Sequence, residues 1–377
     1  MRILFAIPRL TYSGAPKMMA WIANKMAEKG HDVHLVSFFS EEQARILHES
    51  ISMHSLNVKQ SGNRLVRNTF GMIKTITKLH KTVKKIKPDI IVSFLDSVGY
   101  VYLPIGSRLT KSKFIVSERV DPCSYHGKKA KLRFKLMSYA HGFVFQTRGA
   151  QSFFERYDRI YSRSTVIPNP VVVNEKILSM QQSIPLPSER EKVIVTVGRL
   201  SLVQKRQDVL LEAFEMFHNT HPGHKLIVYG DGADKDRIQR LADKMGLAES
   251  VILAGRIDNV ESAIFNAAAF VLTSDFEGIP NALIEAMSIG VPAVSTDCSP
   301  GGAALLINDG ENGFLVSAGD AKAIAEKLSV IVDNFEVSKR FSENGPLITE
   351  GFSEEVIADK WEAFFENALN NEESKNA

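Results

Sequence analysis

A chain of 377 residues, 44% hydrophobic and 24% charged, has the composition of a globular protein and enough length for two domains, each burying its own core. Cys123 and Cys298 lie far apart without metal-ligand spacing, which excludes a disulfide scaffold and suits a reducing compartment. The net charge of +3 hides a division, because residues 1–180 hold 29 Lys+Arg against 12 Asp+Glu and the remainder 17 against 31, pointing the first half toward an anionic partner.

In chain order, MRILFAIPRL has too short an apolar run for a secretory signal, and Pro8 interrupts it. No window approaches the roughly 18 apolar residues of a spanning helix. The expected location is therefore cytoplasmic, with the chain peripheral at the inner face of the membrane. Ile3–Ile7 reads as a strand covered on both faces, and residues 11–18 (TYSGAPKM) lead into a helix that Gly30 stops. Further strands are predicted at Asp32–Phe38, Ile51–Leu56, Ile90–Leu95, Phe114–Val116 and Phe143–Phe145. Strands alternating with helical stretches build a parallel sheet with helices on both faces. Ligands of such sheets lie beyond the carboxyl ends of the strands, where Gly14 and Ser117–Asp121 fall. Gly14 permits close approach of backbone to a phosphate, or is a plain tight turn; the dinucleotide spacing G-x-G-x-x-G is absent.

Two acid-free basic clusters follow. Residues 63–87 carry eight Lys/Arg, with Leu65, Val66, Phe70, Ile73, Ile76, Leu79, Val83 and Ile86 at helical spacing. Residues 126–135 (HGKKAKLRFK) add five Lys/Arg. The apolar stripe packs on the sheet, and the lysines either face water or meet anionic lipid headgroups. Nucleic acid is disfavoured, since no regular aromatic interleaving offers a base-stacking surface.

Pro168, Asn169 and Pro170 mark the crossing into a second half, and a polar segment runs on to Glu191. Strands are predicted at Val193–Val197, Leu226–Tyr229, Val251–Leu253, Phe270–Leu272 and Ala293–Ser295, with helices near 205–218, 233–245, 258–267, 282–289 and 320–333. This is a second doubly wound unit, without a short repeat. Phe352–Leu369 is a last helix with Trp361, Phe364 and Phe365 near one face, and the tail 370–377 is expected to be disordered.

The stretch Thr273–Gly290, TSDFEGIPNALIEAMSIG, carries the chemistry. Gly278 allows a tight bend, Pro280 suits the first helical position, and Gly290 with Pro292 ends the helix. Glu277 therefore stands before a helix N-terminus and Glu285 about two turns in, with N–H donors between them that suit a diphosphate. Upstream, Gly198, Arg199 and Lys205 lie in VGRLSLVQKRQDVLLEAF. Arg199 and Lys205, from the loop after a strand and the start of a helix, are placed to hold such an anion. Fixed cations can replace a divalent metal, and no Asp-x-Asp pair lies in a suitable loop, so the expectation is a site without metal or other cofactor.

With the glycine loop near the N-terminus, IPNP at 167–170, YGDG at 229–232 and NDGENGFLV at 308–316, these motifs resemble glycosyltransferase family 4. The resemblance implies a GT-B fold, two Rossmann-like domains facing across a cleft. Residues 1–170 would bind acceptor, 171–351 the nucleotide-sugar donor, and helix 352–369 would cross back onto the first domain. It further implies retention of anomeric configuration, with Glu277 orienting the donor sugar and Glu285 binding the ribose. Gly14, Gly198, Gly230, Arg256, Gly278, Ile279, Pro280, Asn281 and Leu283 complete the implied donor site. The family's first-domain His is missing from IVSERVDP (115–122), so Glu118, Arg119 and Asp121, with Asn169, are the acceptor-side candidates. SERVDP resembles bacterial surface-polysaccharide transferases that use UDP-hexoses or UDP-N-acetylhexosamines, and the implied acceptor is a glycan or lipid-linked glycan. Two other functions share this fold. A nucleotide-sugar epimerase would perform no transfer to a second substrate. A non-catalytic partner subunit would tend to lose the charged donor residues, and all four are present.

Overall fold

The computed structural model describes residues 1–11, 14–39, 47–58, 71–94 and 97–370. Residues 63–70 of the basic stretch, with Leu65, Val66 and Phe70, therefore lie outside it, as do Leu95 and most of the tail. The chain forms two compact units, Met1–Pro168 with Glu355–Ala377, and Asn169–Glu354. No described helix is long and apolar enough to cross a membrane.

The first unit is built on seven parallel strands: β1 (Arg2–Ile7), β2 (Asp32–Ser37), β3 (Ser52–Ser55), β4 (Ile90–Ser93), β5 (Lys113–Ser117), β6 (Gly142–Phe145) and β7 (Ser164–Val166). Their spatial order is β3-β2-β1-β4-β5-β6-β7. The two-residue period sorts each apolar run onto two faces. Ile3 and Phe5 join Leu35, Val92 and Ile115 beneath the Gly14–Glu28 helix, while Leu4 and Ala6 join Val36, Ile91 and Val116 on the other face. That second face is covered by the helices Met72–Ile86, Ser97–Leu109 and Gly127–Met137.

The chain's last helix, Glu354–Asn370, belongs to the first unit. Ile357, Trp361 and Phe365 are buried against the β1 face, and Trp361 stacks on Phe94 with ring centroids 6.4 Å apart. A polar clasp closes its edge. Lys29 Nζ donates to Asp359 (2.6 Å) and Glu362 (2.7 Å), and His31 Nε2 lies 2.8 Å from Glu362.

The second unit repeats the plan with six parallel strands: β8 (Glu191–Val197), β9 (Lys225–Tyr229), β10 (Val251–Gly255), β11 (Ala267–Leu272), β12 (Ala293–Thr296) and β13 (Phe314–Val316). The order β10-β9-β8-β11-β12-β13 again runs outward in both directions from its first strand. Such sheets bind ligands where the order reverses, here beyond the carboxyl ends of β8 and β11.

Several elements differ from the expectation, each for a local reason. Ser97–Leu109 is helical although it contains Pro104, because packing of Tyr102 and Leu103 overrides the breaker. The polar segment before Glu191 contains a helix, Glu175–Gln182, capped by Asn174, whose Oδ1 accepts from Ile177 N–H at 2.9 Å. β7 and β13 are three-residue edge strands, too short to show a period. On the basic helix Leu79, Val83 and Ile86 are buried as expected, but Ile73 is 63% exposed and has left the stripe.

Trp361→Ala removes the largest buried side chain of this helix and is expected to cost about 3–5 kcal/mol. Chemical denaturation followed by hydrogen exchange at β1 checks it. Hydrogen bonds from Lys29 hold the Glu362 carboxyl below its ordinary 4.5. The clasp therefore contributes fully above that pH and is lost as pH falls through the lowered value. Glu362→Gln should abolish this acid dependence of exchange in the last helix.

Candidate functional site

Beyond β8 the chain passes through Gly198–Arg206 before the Gln207–Thr220 helix; beyond β11 it passes through Thr273–Pro280 into the Asn281–Ser288 helix. β8 and β11 are hydrogen-bonded neighbours, so the two loops emerge side by side. Asp275 N–H donates to Gln204 O (2.9 Å), Gln204 Nε2 to Phe276 O (3.2 Å), and Thr273 Oγ1 to Lys205 O (2.8 Å). Arg206, which the sequence reading passed over, clamps them. It takes left-handed backbone geometry, φ 47°, at the helix cap. Its guanidinium donates to Asp208 (3.1 Å) and to both oxygens of Asp275 (3.1 and 3.0 Å), and these bonds, Asp208 first, raise its pKa.

Inside the clamp, Lys205 Nζ pairs with Glu277 Oε1 at 2.5 Å, and Ser274 Oγ donates to the same oxygen at 2.9 Å. Both charged side chains are largely buried, 15% and 11% exposed. Two glycine contacts make the space. Gly230 has φ 136°, and a Cβ there would fall 1.8 Å from Gly198 O; a Cβ on Gly302 would fall 1.8 Å from Gly278 O. Gly302 belongs to the CSPGG loop, which thus lies directly against Gly278. In the same loop, burial pushes the Cys298 thiol up to about 12, with the Glu277 charge adding to it. Arg199 is exposed and is oriented by Gln204, whose Oε1 accepts from Nη2 at 2.5 Å. Arg256 follows β10 and is 82% exposed, its Nε 3.6 Å from Asp231 of the YGDG turn.

The helix expected over 282–289 runs Asn281–Ser288, and Pro280 is its cap instead of its first helical residue. Leu283 and Ile284 N–H return to Pro280 O, at 3.0 and 3.2 Å. Asn281 and Ala282 N–H precede any helical acceptor and are the donors offered at this end. Glu285 is half-buried, one turn along the same face as Asn281. Ile279 and Leu283 point their side chains into the core, 5% and 0% exposed, so only their backbone can meet a ligand. Asn169 falls in the second unit, where its Nδ2 donates to Asn281 Oδ1 at 2.9 Å. Together the two loops present fixed cations, helix N–H groups and two carboxylates, a set able to hold a diphosphate beside polyol hydroxyls.

In the first unit, Gly14 opens the helix after β1. Glu118 follows β5 and is buried. Its Oε1 accepts from Arg119 and Val120 N–H (3.2 and 3.4 Å), and its Oε2 accepts from Arg133 Nη2 at 2.5 Å. Burial pushes this carboxyl up, to about 8, against those N–H donors. Asp121 is equally committed, since its Oδ1 caps the Pro122–Ser124 turn through Cys123 N–H at 2.8 Å. Arg119 lies over the Phe94 ring at 4.4 Å; its Nε and Nη1 are buried without a partner among the described residues, and burial lowers its pKa to about 9. Arg133, from the second basic cluster, was not anticipated; a positive residue fifteen positions from a buried Glu carries no readable spacing.

Residues 181–347 match the glycosyl transferases group 1 model, and residues 12–152 the glycosyl transferase 4-like model. The chain is 25% identical over 361 residues to a Campylobacter jejuni enzyme, covering 96% of this chain and 97% of the relative. That relative is GalNAc-α-(1→4)-GalNAc-α-(1→3)-diNAcBac-PP-undecaprenol α-1,4-N-acetyl-D-galactosaminyltransferase. A Salmonella typhimurium lipopolysaccharide 1,6-galactosyltransferase is 26% identical, covering 71% of this chain and 72% of that one. The structure of Anabaena HepE in complex with UDP superposes with a TM-score of 0.77 at 19% identity, covering 97% and 100% of the two chains. Both units thus match, in order, the two halves of a single kind of enzyme. The chain belongs to the GT-B glycosyltransferases of the family-4-like type.

Proposed function

We propose that this transferase moves a hexose or N-acetylhexosamine from a UDP-linked donor to a lipid-linked or other glycan acceptor of the cell envelope. The observation that carries this reading is the buried Lys205–Glu277 pair beside the open end of the Asn281–Ser288 helix. The diphosphate takes Lys205, Arg199 and the helix N–H groups, which draws Lys205 off Glu277. Glu277, still held by Ser274, then accepts from a donor-sugar hydroxyl, and Glu285 accepts from the ribose. The sugar–phosphate bond breaks with its negative charge met by two cations, so the proposal needs no metal. Retention of configuration follows if the departing phosphate takes the acceptor proton on the same face. The relatives' names support the substrate classes: a diphosphate-linked lipid for the Campylobacter enzyme, lipopolysaccharide for the Salmonella enzyme, and UDP for HepE. In this reading the second unit binds donor and the first binds acceptor. A nucleotide-sugar panel read by thermal shift and hydrolysis tests it; no response to any UDP-sugar would overturn the donor assignment.

Arg199→Ala and Lys205→Ala should each cut turnover roughly a hundredfold, as for loss of one stabiliser of developing charge. Steady-state kinetics on the folded variants decides this. Lys205→Ala also strands a buried carboxylate, so combining it with Glu277→Gln should cost less than the two changes added.

The two glutamates should separate by calorimetry. Glu277→Gln is expected to lose transfer while keeping UDP affinity; Glu285→Ala is expected to weaken UDP. Equal or reversed effects would exchange their roles.

The first unit, in this proposal, also docks on anionic membrane through its basic helices, with Lys128, Lys131 and Lys135 as the contribution of the Gly127–Met137 helix. Lys74, Lys81, Lys84 and Lys85 are exposed on the Met72–Ile86 helix, whereas Lys78 donates to Leu56 O at 2.5 Å and is left aside. Each exposed lysine near headgroups contributes about 1 kcal/mol, screened over about 8–10 Å at physiological salt. Changing those four to Ser should remove salt-sensitive co-sedimentation with anionic liposomes. Unchanged binding would sink this role.

A further inference from the structure

The first unit holds a pocket of about 490 Å³ against the Gly127–Met137 helix. Met72, Val101, Leu132 and Leu136 give it aliphatic walls, and its charged lining consists of Lys129 and Arg133, with His126 at the same helix end. No carboxylate lines it among the described residues. Leu132 stands 57% exposed beside the exposed Lys129, an apolar side chain in water next to a cation. Arg133 is the link to the rest of the unit. Its guanidinium lies between the Tyr100 and Tyr125 rings, 4.4 and 4.0 Å from their centroids, while Nη2 reaches Glu118. Arg133 Nε and Tyr100 Oη are buried without partners among the described residues, and both residues line the pocket.

These features select the occupant. A free sugar would find partners in Ser124 and His126, but its hydroxyls would also be desolvated against the Met72, Val101, Leu132 and Leu136 wall. A nucleobase stacks best between open aromatic faces, and Arg133 already lies over one face each of Tyr100 and Tyr125. An apolar chain ending in an oxyanion satisfies both the walls and the surplus of donors. Arg133 also touches Glu118, just past the carboxyl end of β5, where ligands of this kind of sheet gather. The occupant is therefore one side chain away from the acceptor-side candidates rather than somewhere on a remote surface.

We propose that this pocket binds the phosphate-bearing end of the acceptor's lipid carrier. The chain lies along Val101, Leu132 and Leu136, and the phosphate is held by Lys129 and Arg133. This rests on the reading above that the acceptor is lipid-linked. It adds where the carrier is gripped, and it makes the lipid phosphate, as well as the terminal sugar, a determinant of acceptor choice.

The test is calorimetric titration of the full chain, saturated with UDP, with octyl phosphate below its micelle concentration, compared with inorganic phosphate and octyl glucoside. Octyl phosphate should bind once per chain and at least about tenfold more tightly than either half-ligand. Lys129→Glu and Leu132→Asn, both at exposed helix positions, should each weaken it about tenfold without changing UDP affinity or the melting temperature. Octyl phosphate binding no tighter than inorganic phosphate, or bound equally by both variants, would overturn the site. Saturating octyl phosphate should leave co-sedimentation with phosphatidylglycerol vesicles unchanged; displacement from the vesicles would assign the pocket to bulk lipid headgroups and overturn the acceptor assignment. A wild type that binds octyl phosphate but not UDP would instead refute the donor reading and leave this site standing.

Discussion

The second unit's candidate site is built around one ion pair, Lys205 with Glu277, that joins two loops from neighbouring strands. Opposite charges held mostly out of water stabilise only while both are present, so each fixes the other's position. The pair in turn needs the loops held in register, and Arg206 does this. Its left-handed backbone costs on the order of 1–3 kcal/mol, offset by charge-assisted hydrogen bonds to Asp208 and Asp275. Gly230 and Gly302 contribute by what they lack, since a side chain at either would collide with the backbone that carries Gly198 or Gly278. The electrostatics of the site are thus secured by backbone packing beneath it.

The two units share a strand order yet hold their polar loops by different means. In the second, charged side chains from neighbouring loops bind one another. In the first, Glu118 and Asp121 accept from backbone N–H groups, Glu118 also from Arg133, and among the described residues Ser117 Oγ, Arg119 Nε and Nη1, and Arg133 Nε are buried there without a partner. The excess of donors there agrees with the basic balance of residues 1–180. The charge division read from composition is thus a property of individual sites as well as of the surface.

Much of this was legible in the sequence because parallel strands covered on both faces read as unbroken apolar runs, as at Ile3–Ile7 and Phe143–Phe145. The loop after β11 was legible because Gly278, Pro280 and Gly290 punctuate it. What stayed hidden depends on distant partners. Arg206 looks like any surface arginine until Asp275 is seen opposite it, 69 positions away. Asn169 read as linker and is tied to Asn281; Arg133 read as one charge among five and is the partner of Glu118. The Ser97–Leu109 helix went unassigned; it carries Pro104, a local breaker, and the packing that buries Tyr102 and Leu103 is not local.

The last helix completes a core begun more than three hundred residues earlier, which has a consequence for synthesis. Trp361 and Phe365 cover the β1 face, but all of Asn169–Glu354 must be translated before they emerge. At roughly 5–20 residues per second that interval is on the order of 10–40 s. For that time the part of this face that the Gly14–Glu28 helix leaves to the last helix stays open on the ribosome. The second unit has no such debt, since its core closes within its own contiguous segment. Folding in the cell therefore ends with the helix made last closing on the sheet made first.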